Sequence, residues 1–495
     1  MYLLGLDIGS SSIKATILNA ESGKGIASCF YPEQEMPISA SRPGFAEQDP
    51  EMWWSYTIKA INESVRNSKI HPEEIKAIGI SYQMHGLVLA DKDQNVIRPS
   101  IIWCDSRATG IGDDAFNKIG REKCLSHLLN SPGNFTASKL KWVKDNQQEL
   151  YERIHKIMLP GDYIAMKMTG EIGTTASGLS EGILWDFKED SVADFLLDHF
   201  GFDHSLIPEI VPTFGEQGRI TRKASQETGI AAGTPVAYRA GDQPNNAFSL
   251  NVLKPGEIAA VAGTSGVVYG VSDEVKSDPE SRINTFAHVN HSDRNTSLGV
   301  LLCVNGTGIL NSWSKSNIAG NLTYDQMNDK ASGINIGSDG LFILPFGNGA
   351  ERMLGNLNKG AQVSGLDFNI HSQAHFLRAA QEGVAFALRY GIDIMHNLGI
   401  RPEVIHAGYG NMFLSPVFRD TLSNITGASI ELYNTDGSQG AARAAGVGAG
   451  IYSSYDEAFK GLEIINRTEP DPARRGKYTE AYDNWLDELK NYIKE

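Results

Sequence analysis

The sequence predicts an α/β protein that consists of two domains, and three observations support this fold class. Strand and helix signals alternate along the chain, which is typical of α/β architecture. The chain has 495 residues, more than a single hydrophobic core usually serves. One strand–turn–strand pattern occurs twice, at residues 4–16 and again at residues 259–269. We therefore expect two related domains, residues 1–248 and residues 249–495.

The first half of the chain begins with strand signals. Residues 1–31 predict a strand hairpin with its turn at residues 21–25. A helix is expected from Pro50, because Asp49 can serve as its N-cap and proline suits the first helical position. Further strands are predicted at residues 75–81, 87–90 and 235–239.

The second half continues the alternation. Apolar residues recur with helical spacing over residues 372–398 and predict a long amphipathic helix. Another helix is expected to begin at Pro416, after Ser415, and to end at Gly427. The remaining predictions are a strand at residues 403–406, a closely packed small-residue segment at 437–446 and a solvated helix at 485–495.

Composition excludes several classes of protein. The chain carries 59 acidic and 44 basic residues, a net charge of −15, which argues against nucleic acid or an anionic membrane surface as a partner. No apolar segment is long enough to cross a bilayer, and the N-terminus lacks the features of a signal peptide. Without a CxxC pair, the cysteines predict reduced thiols of a cytoplasmic protein and no zinc site. They are Cys29, Cys104, Cys124 and Cys303.

The turns of the repeated pattern contain small hydroxyl residues and glycine. Such turns leave backbone N–H groups available to face an anion, as in other loops that cradle phosphate. A matched pair of them indicates a nucleotide held between two related domains. The loop residues are Gly9, Ser10, Ser11 and Ser12, followed by Lys14, in the first copy and Gly263, Thr264 and Ser265 in the second.

Two aspartates occupy positions suited to phosphoryl transfer. Asp7 ends a buried strand before the first loop, where it can hold Mg²⁺ against phosphates or, alternatively, cap the turn. Because a second loop of the same kind occurs in the chain, the metal role of Asp7 is favoured over the capping role. Asp242 lies just after the strand at residues 235–239. At this position it can accept the proton of an alcohol and also serve as a helix N-cap.

Other polar segments follow predicted strands. Residues 83–86 and 103–107 place amide, imidazole and carboxylate groups on connecting loops, a combination that suits a polyhydroxylated ligand. The glycine-bearing turn at residues 407–411 lets a nucleotide approach the backbone.

Together these segments resemble the FGGY family of carbohydrate kinases over nearly the whole chain, to about residue 455. The resemblance rests on Asp7–Lys14, Gly241-Asp242, Gly263–Gly266, Thr136–Trp142 and Val363–Leu366 with Glu382–Val384. It implies two actin-like (ribonuclease-H-like) domains with an inter-domain catalytic cleft. The first domain would bind sugar and the second nucleotide, and water would be excluded on closure.

Within the family, four segments are similar to those of xylulokinases, namely residues 83–86, 103–107, 159–163 and 168–171. The resemblance implies ATP-dependent phosphorylation of D-xylulose to D-xylulose 5-phosphate with Mg²⁺. Asp242 would be the general base, and the sugar would meet Met84, His85, Trp103, Asp105, Asp242 and Gln243. Gly263, Thr264 and Ser265 would grip the γ-phosphate, Gly408 and Asn411 would lie near adenosine, and Asp7 and Asp242 would hold the metal. Homodimers are common in this family.

The sequence departs from the family pattern at three places, of which the first concerns contacts to the sugar and the second concerns nucleotide affinity. Asp242-Gln243 stands where Asp-Asn is usual, Gly408-Tyr409-Gly410 replaces a triple glycine, and Gly349–Met353 interrupts a Gly-Glu-Arg-Thr-Pro block. The alternatives are a kinase for ribulose, gluconate, glycerol or another polyol, an actin-like ATPase without a sugar, and a sugar sensor that has lost catalysis. Retention of Asp7 and Asp242 speaks against the sensor.

Overall fold

The computed structural model describes residues 1–494 and divides into two compact units. Unit 1 comprises Met1–Asn251, Phe286–Leu298 and Thr435–Leu462. Unit 2 comprises the remaining described residues from Val252 onward. The first change of unit therefore follows Asn251, and two later segments return to unit 1, a feature that the sequence did not predict.

Residues 1–251 alternate strands with helices, as expected for the predicted α/β class. The strands are β1 (Tyr2–Ile8), β2 (Ile13–Asn19), β3 (Gly25–Tyr31), β4 (Glu47–Gln48), β5 (Ile75–Tyr82), β6 (Val88–Ala90), β7 (Ser100–Ile101), β8 (Lys156–Met158), β9 (Gly173–Thr174), β10 (Trp185–Asp186), β11 (Ser191–Val192), β12 (Glu209–Ile210) and β13 (Val236–Gly241). The helices are α1 (Pro50–Ser68), α2 (Thr109–Ile119), α3 (Arg121–His127), α4 (Thr136–Asn146), α5 (Gln148–Tyr151), α6 (Pro160–Thr169), α7 (Ala176–Glu181), α8 (Asp194–Phe200), α9 (Arg222–Thr228) and α10 (Asp242–Ser249), with short 3-10 helices at Pro72–Glu74 and His204–Leu206.

Residues 252–494 continue the same alternation. The strands are β14 (Ile258–Ala262), β15 (Gly266–Ser272), β16 (Asn284–Ala287), β17 (Leu298–Val304), β18 (Phe342–Leu344), β19 (Gln362–Ser364), β20 (Val404–Gly408), β21 (Ser429–Tyr433) and β22 (Ile464–Thr468). The helices are α11 (Gly308–Asn317), α12 (Tyr324–Ser332), α13 (Gln373–His396), α14 (Pro416–Thr426), α15 (Gly437–Gly448), α16 (Tyr455–Ala458) and α17 (Pro472–Lys494), with 3-10 helices at Ser338–Gly340, Arg352–Leu354 and Asn411–Leu414.

The central sheet of unit 1 has the order β13-β5-β1-β2-β3. The strands β1, β2 and β3 form an antiparallel meander, while β5 runs parallel to both β1 and β13. The predicted hairpin and the predicted strands at 75–81 and 235–239 are therefore confirmed, with ends that differ by one or two residues. Because β1, β5 and β13 are parallel, their carboxyl ends lie at one edge of the sheet.

Helix α15 packs directly on this sheet. A Cβ added to Gly5 of β1 would lie 1.8 Å from the carbonyl oxygen of Ser438, and one added to Gly79 of β5 would lie 2.0 Å from that of Ala441. Neither strand position therefore has room for a side chain. Close packing, the predicted explanation for the small residues at 437–446, is confirmed.

A seven-stranded sheet, built mainly from unit 2, has the order β16-β17-β15-β14-β20-β21-β22. The predicted helices are confirmed as α13, whose buried face fills the core beside this sheet, and α14, which ends at Gly427 in the left-handed region. In the described part of the chain, no helix is both long and apolar enough to span a membrane.

The prediction of a solvated C-terminal helix is wrong. Helix α17 begins at Pro472, and Trp485 is fully buried, with its indole N–H donating to the carbonyl oxygen of Ile343 at 2.9 Å. The charged residues of the tail lie on one face, while Tyr478, Ala481, Tyr482, Trp485, Leu489 and Tyr492 form a buried face at helical spacing. The last residue of that prediction, Glu495, lies outside the described residues.

Candidate active site

Strand register brings the two predicted aspartates to the same edge of the unit 1 sheet. Ile8 pairs with Tyr82 on β5, and Tyr82 pairs in turn with Gly241 on β13. Neighbouring strands are about 4.8 Å apart, so the backbones next to Asp7 and Asp242 are separated by roughly 10 Å across β5. That distance lets two carboxylates face one small ligand.

Asp7 is held within a group of charged residues. The hydroxyl of Ser81 donates to its Oδ1 at 2.9 Å. A Cβ added to Gly437 would lie 2.5 Å from Asp7 Oδ2, so the start of α15 lies directly against this carboxylate. Burial first, and then the neighbouring Asp436 carboxylate, raise the pKa of Asp7 although Ser81 and Lys14 oppose the shift.

Asp436 is a member of this group that the sequence analysis missed. Lys14 Nζ donates to Asp436 Oδ2 at 2.6 Å, while Asp436 Oδ1 accepts from the Ser438 hydroxyl and the Gln439 N–H at the start of α15. Burial alone would raise the pKa of Asp436, but Lys14 and these hydrogen bonds lower it, so the group stays ionised. The only local signal in the sequence is an aspartate at the N-cap of a helix.

Asp242 is the first residue of α10, immediately after β13. Burial and the negative charge of Asp7 raise its pKa to about 7, while hydrogen bonds from the Gln243 backbone and side chain oppose the shift. A carboxylate with a pKa close to neutrality can both accept and release a proton under physiological conditions, as a general base must. Its predicted second role as a helix N-cap does not match the structure, since Gly241 occupies the N-cap position.

The first loop is fixed by hydrogen bonds to its backbone and side chains. Gln48 Nε2 donates to the Ser10 carbonyl at 2.7 Å, and the Met36 N–H donates to the Ser11 carbonyl at 2.8 Å. Gly9 closes the turn by donating to the Ser12 carbonyl at 3.1 Å. With these carbonyls occupied, the loop is held in one conformation beside Asp7.

The loop that carries Met84 and His85 leaves the carboxyl end of β5, between β1 and β13. Gln83 starts it by donating its N–H to the Ile8 carbonyl at 2.8 Å. Met84 is buried, and a Cβ on Gly241 would lie only 2.6 Å from its Cγ. Met84, His85 and Asp242 are therefore grouped at one edge, as the sequence predicted from separate motifs.

Lys139 of α4 ties this loop to the next one. Its Nζ is fully buried and donates to the carbonyls of His85 at 2.8 Å and Ile102 at 3.0 Å. Burial lowers the pKa of Lys139 to about 7, against the opposing effect of Asp105. Lys139 lies in the segment Thr136–Trp142, which resembles a family signature, but no role for it was predicted from the sequence.

The Trp103–Arg107 segment contributes two predicted residues with different environments. Trp103 is half exposed, and its indole N–H donates to Ser10 Oγ at 3.2 Å, which places it beside the first loop. Asp105 is fully buried, and its carboxylate accepts from the Ala46 N–H at 2.6 Å and from Arg107 at 2.6 to 3.0 Å. These internal contacts favour a positioning role for Asp105.

In unit 2, the second loop connects β14 and β15, which form an antiparallel hairpin. The start of α11 binds this loop, because the N–H groups of Gly308 and Ile309 donate to the carbonyls of Gly263 at 2.8 Å and Thr264 at 3.1 Å. A Cβ on Gly308 would lie 2.2 Å from the Gly263 carbonyl oxygen, so glycine is required there.

A cavity of about 420 Å³ opens beside this loop. Gly263, Thr264 and Asn411 line it, and a Cβ on Gly263 would lie 3.7 Å from Asn411 Nδ2. Among the described residues, Ser265 and Gly408 are not part of its lining. The lining residues that sequence reasoning missed are polar side chains of α11, α12 and α13, namely Asn311, Ser312, Tyr324, Asp325, Asn328 and Gln381.

The residues of unit 1 fit a magnesium ion that is shared with phosphate. Residues 1–494 contain no group of three His, Cys, Asp or Glu side chains able to hold a metal by themselves. Mg²⁺ commonly uses one or two carboxylates together with phosphate oxygens and water, so a pair such as Asp7 and Asp242 suits it. Each is partly buried, and the charge of Asp7 raises the pKa of Asp242, a repulsion that a cation would relieve.

Comparison with known proteins identifies the family. Residues 2–249 match the N-terminal domain of the FGGY family of carbohydrate kinases, and residues 258–449 match its C-terminal domain. The chain is 29% identical over 462 residues to a xylulose kinase of Bacillus subtilis, covering 92% of this chain and 90% of that protein. It is 29% identical over 490 residues to a xylulose kinase of Escherichia coli, with 97% and 96% coverage.

A solved structure shares the fold. The gluconate kinase of Lactobacillus acidophilus is 22% identical and superimposes with a TM-score of 0.90 over 99% of this chain and 98% of that one. The two matched domains together account for most of the chain, and the predicted two-domain α/β fold class is confirmed. The chain therefore belongs to the FGGY family of carbohydrate kinases, enzymes that phosphorylate small sugars with ATP.

Proposed function

We propose that the protein phosphorylates the terminal hydroxyl of D-xylulose with ATP and forms D-xylulose 5-phosphate and ADP. The observation that carries this proposal is Asp242, a partly buried carboxylate with a pKa of about 7 at the sheet edge that also presents Asp7, Met84 and His85. The sugar is inferred from the xylulose kinases that the chain resembles.

In this reaction Asp242 is the general base. Its ionised carboxylate accepts the proton of the sugar hydroxyl as that oxygen forms a bond to the γ-phosphorus, while the bond from phosphorus to the β-phosphate oxygen breaks and ADP leaves. The raised pKa makes the carboxylate a stronger proton acceptor than an ordinary aspartate. Asp242 then returns the proton to solvent.

The sugar is held by the loops at the carboxyl ends of β5 and β13. His85 Nδ1 lies 2.9 Å from the Glu181 carbonyl oxygen, so Nδ1 carries the proton and Nε2 is the acceptor in the neutral ring. We assign to Nε2 a hydrogen bond from a sugar hydroxyl. Met84 provides an apolar contact, Trp103 a half-exposed aromatic face and Gln243 an amide next to the base. Asp105 contributes by ordering this segment.

Nucleotide and metal are assigned to the two hairpin loops. Gly263, Thr264, Ser265, Gly408 and Asn411 of unit 2 are proposed to hold the γ-phosphate and adenosine. Asp7 and Asp242 would hold Mg²⁺, and Gly9, Ser10, Ser11, Ser12 and Lys14 would contact the phosphates. The bound metal would neutralise phosphate charge as it develops during transfer.

The alternative is the same chemistry on another sugar or polyol, such as ribulose, gluconate or glycerol. Two observations favour it: the gluconate kinase of Lactobacillus acidophilus has the same fold, and Gln243 replaces the asparagine of the family pattern. An ATPase without a sugar acceptor has less support, because the segments Gln83–Gly86 and Trp103–Arg107 suit a sugar. A non-catalytic sensor also has less support, because both Asp7 and Asp242 are present.

The proposal is tested by ADP release from MgATP with D-xylulose, L-ribulose, D-ribulose, D-gluconate, glycerol and no sugar. We expect the D-xylulose rate to exceed the others by at least about tenfold, the discrimination that one or two polar contacts provide. A higher rate with another sugar would retain the mechanism and replace the substrate. Equal rates of ADP release with and without sugars would favour an ATPase that has no sugar acceptor.

A further inference from the structure

Glu181, the last residue of α7, lies beneath the proposed sugar site although no sequence motif pointed to it. Its side chain is only 1% exposed. A Cβ added to Gly241 would lie 2.4 Å from Glu181 Oε2, so this carboxyl group lies directly against the turn that leads to Asp242. The same added Cβ would lie 2.6 Å from Met84 Cγ, so Glu181 and Met84 both pack against Gly241.

Glu181 also holds His85 at two points. Its backbone carbonyl accepts from His85 Nδ1 at 2.9 Å, and its carboxyl group lies close to the His85 backbone N–H. The imidazole packs edge-on against Phe135 and at a tilt against Phe286, with ring-centroid distances of 4.8 and 5.4 Å. Lys139 binds the His85 carbonyl at 2.8 Å, so the backbone of His85 is held on both sides.

These contacts stabilise an unusual backbone conformation. His85 has φ of 61°, in the left-handed region that residues other than glycine rarely adopt because the Cβ atom is crowded there. Such a conformation persists where neighbouring groups fix it. The Glu181 carboxyl group is a side-chain acceptor close to the N–H of this residue.

We infer that Glu181 is a positioning residue of the sugar site, which fixes both the left-handed conformation of His85 and the turn that carries Asp242. The inference rests on the proposed function, since it gives Glu181 a role in binding the same sugar. Burial and the nearby Asp242 and Asp162 raise the pKa of Glu181, so the site favours its neutral form. A glutamine, which is neutral and keeps one acceptor oxygen, is therefore its closest substitute.

The experiment compares Glu181→Met with Glu181→Gln in the full-length enzyme. Methionine fills a similar volume but cannot accept the His85 N–H. We expect Glu181→Met to raise the KM for the preferred sugar about tenfold, the effect of one lost hydrogen bond, and to change the KM for ATP less than twofold. The sugar KM of the Glu181→Gln variant should stay within about threefold of the wild-type value.

Glu351→Met is the matched control. Glu351 is likewise a fully buried carboxyl that accepts a backbone N–H, that of Asn305 at 3.0 Å, but it belongs to unit 2. We expect this variant to leave the sugar KM unchanged. If both methionine variants raise the sugar KM equally, the effect is a general loss of stability and the inference is overturned.

Glu181→Asp keeps a carboxyl group but withdraws it by one methylene, and it serves if Glu181→Met does not fold. A sugar KM within twofold of wild type for the folded methionine or aspartate variant would overturn the inference. The sugar panel with the wild-type enzyme distinguishes a failure of the proposed function from a failure of the role of Glu181. A wild type that phosphorylates no sugar refutes the proposed function, whereas an active wild type with unaffected Glu181 variants refutes only the role of Glu181.

Discussion

The loop between β1 and β2 and the loop between β14 and β15 share one local design but lie in different chemical surroundings. Both join antiparallel strands through small residues, and in both the backbone of the turn is fixed by hydrogen bonds from other elements. The first loop lies beside the carboxylates of Asp7 and Asp436 and the ammonium group of Lys14. The second borders a cavity whose described lining contains amides and hydroxyls and a single carboxylate, Asp325.

The difference teaches that the turn alone does not decide what it binds. A phosphate group next to Asp7 would be repelled unless a cation lay between them, whereas the lining of the unit 2 cavity, with Asp325 as its single carboxylate, imposes less repulsion. We therefore expect changes in unit 1 to affect turnover and metal use, and changes around the second loop to affect the affinity for ATP.

The largest effect is expected for Asp242→Asn. An amide cannot accept the hydroxyl proton, so kcat should fall on the order of 10³-fold, within the range of a lost general base. Sugar binding measured by titration calorimetry should remain. Asp186→Asn is the matched control, because Asp186 is a buried aspartate of unit 1 that pairs with His127 at 2.9 Å. A turnover for Asp242→Asn close to that of the control would contradict the base assignment.

The next largest effect is the pH dependence of kcat/KM for the sugar. Because the pKa of Asp242 is raised to about 7, its reactive carboxylate form is lost as the pH falls through that value. Activity should decline about tenfold per pH unit below pH 7 and level off above it. A profile that stays flat down to pH 5 would show that no group with this pKa is required.

Two glycine substitutions test the comparison directly. Gly308→Ala places a methyl group 2.2 Å from the Gly263 carbonyl oxygen, and Gly437→Ala places one 2.5 Å from Asp7 Oδ2. We expect the first to raise the KM for ATP roughly tenfold and the second to lower kcat roughly tenfold and raise the Mg²⁺ requirement. Steady-state kinetics at varied ATP and Mg²⁺ distinguish them. The same kinetic change in both variants would remove the proposed division of roles.

The smallest effect is expected for Gly476→Ala in α17. No atom lies within 4 Å of the added Cβ, and alanine is favoured over glycine within a helix. The free energy of unfolding should rise by about 0.5 to 1 kcal/mol with unchanged kinetics. Denaturation in guanidinium chloride measures the change. A destabilised variant would mean that this face of α17 is in contact with a further part of the molecule.

Local patterns were sufficient to predict most elements of the fold and part of the site. The N-cap Asp49 and Pro50 predicted the start of α1, and Gly427 predicted the end of α14. Asp7 and Asp242 were found because each directly follows an apolar strand, and parallel strands bring such ends together. The prediction that residues 485–495 are solvated was wrong because it was based on their charged residues and overlooked a buried face that includes Trp485.

The sequence by itself determined the fold class, the two hairpin loops and the positions of Asp7 and Asp242, since these depend on short-range propensity and on the alternation of strands and turns. Only the tertiary structure decided that Asp436 pairs with Lys14, 422 residues away, and that Glu181 lies against His85 and Gly241. These partners meet because α15 fits over glycines of β1 and β5 and α7 packs near β13. Such fits depend on the shape of the assembled core, and no local pattern in the chain encodes them.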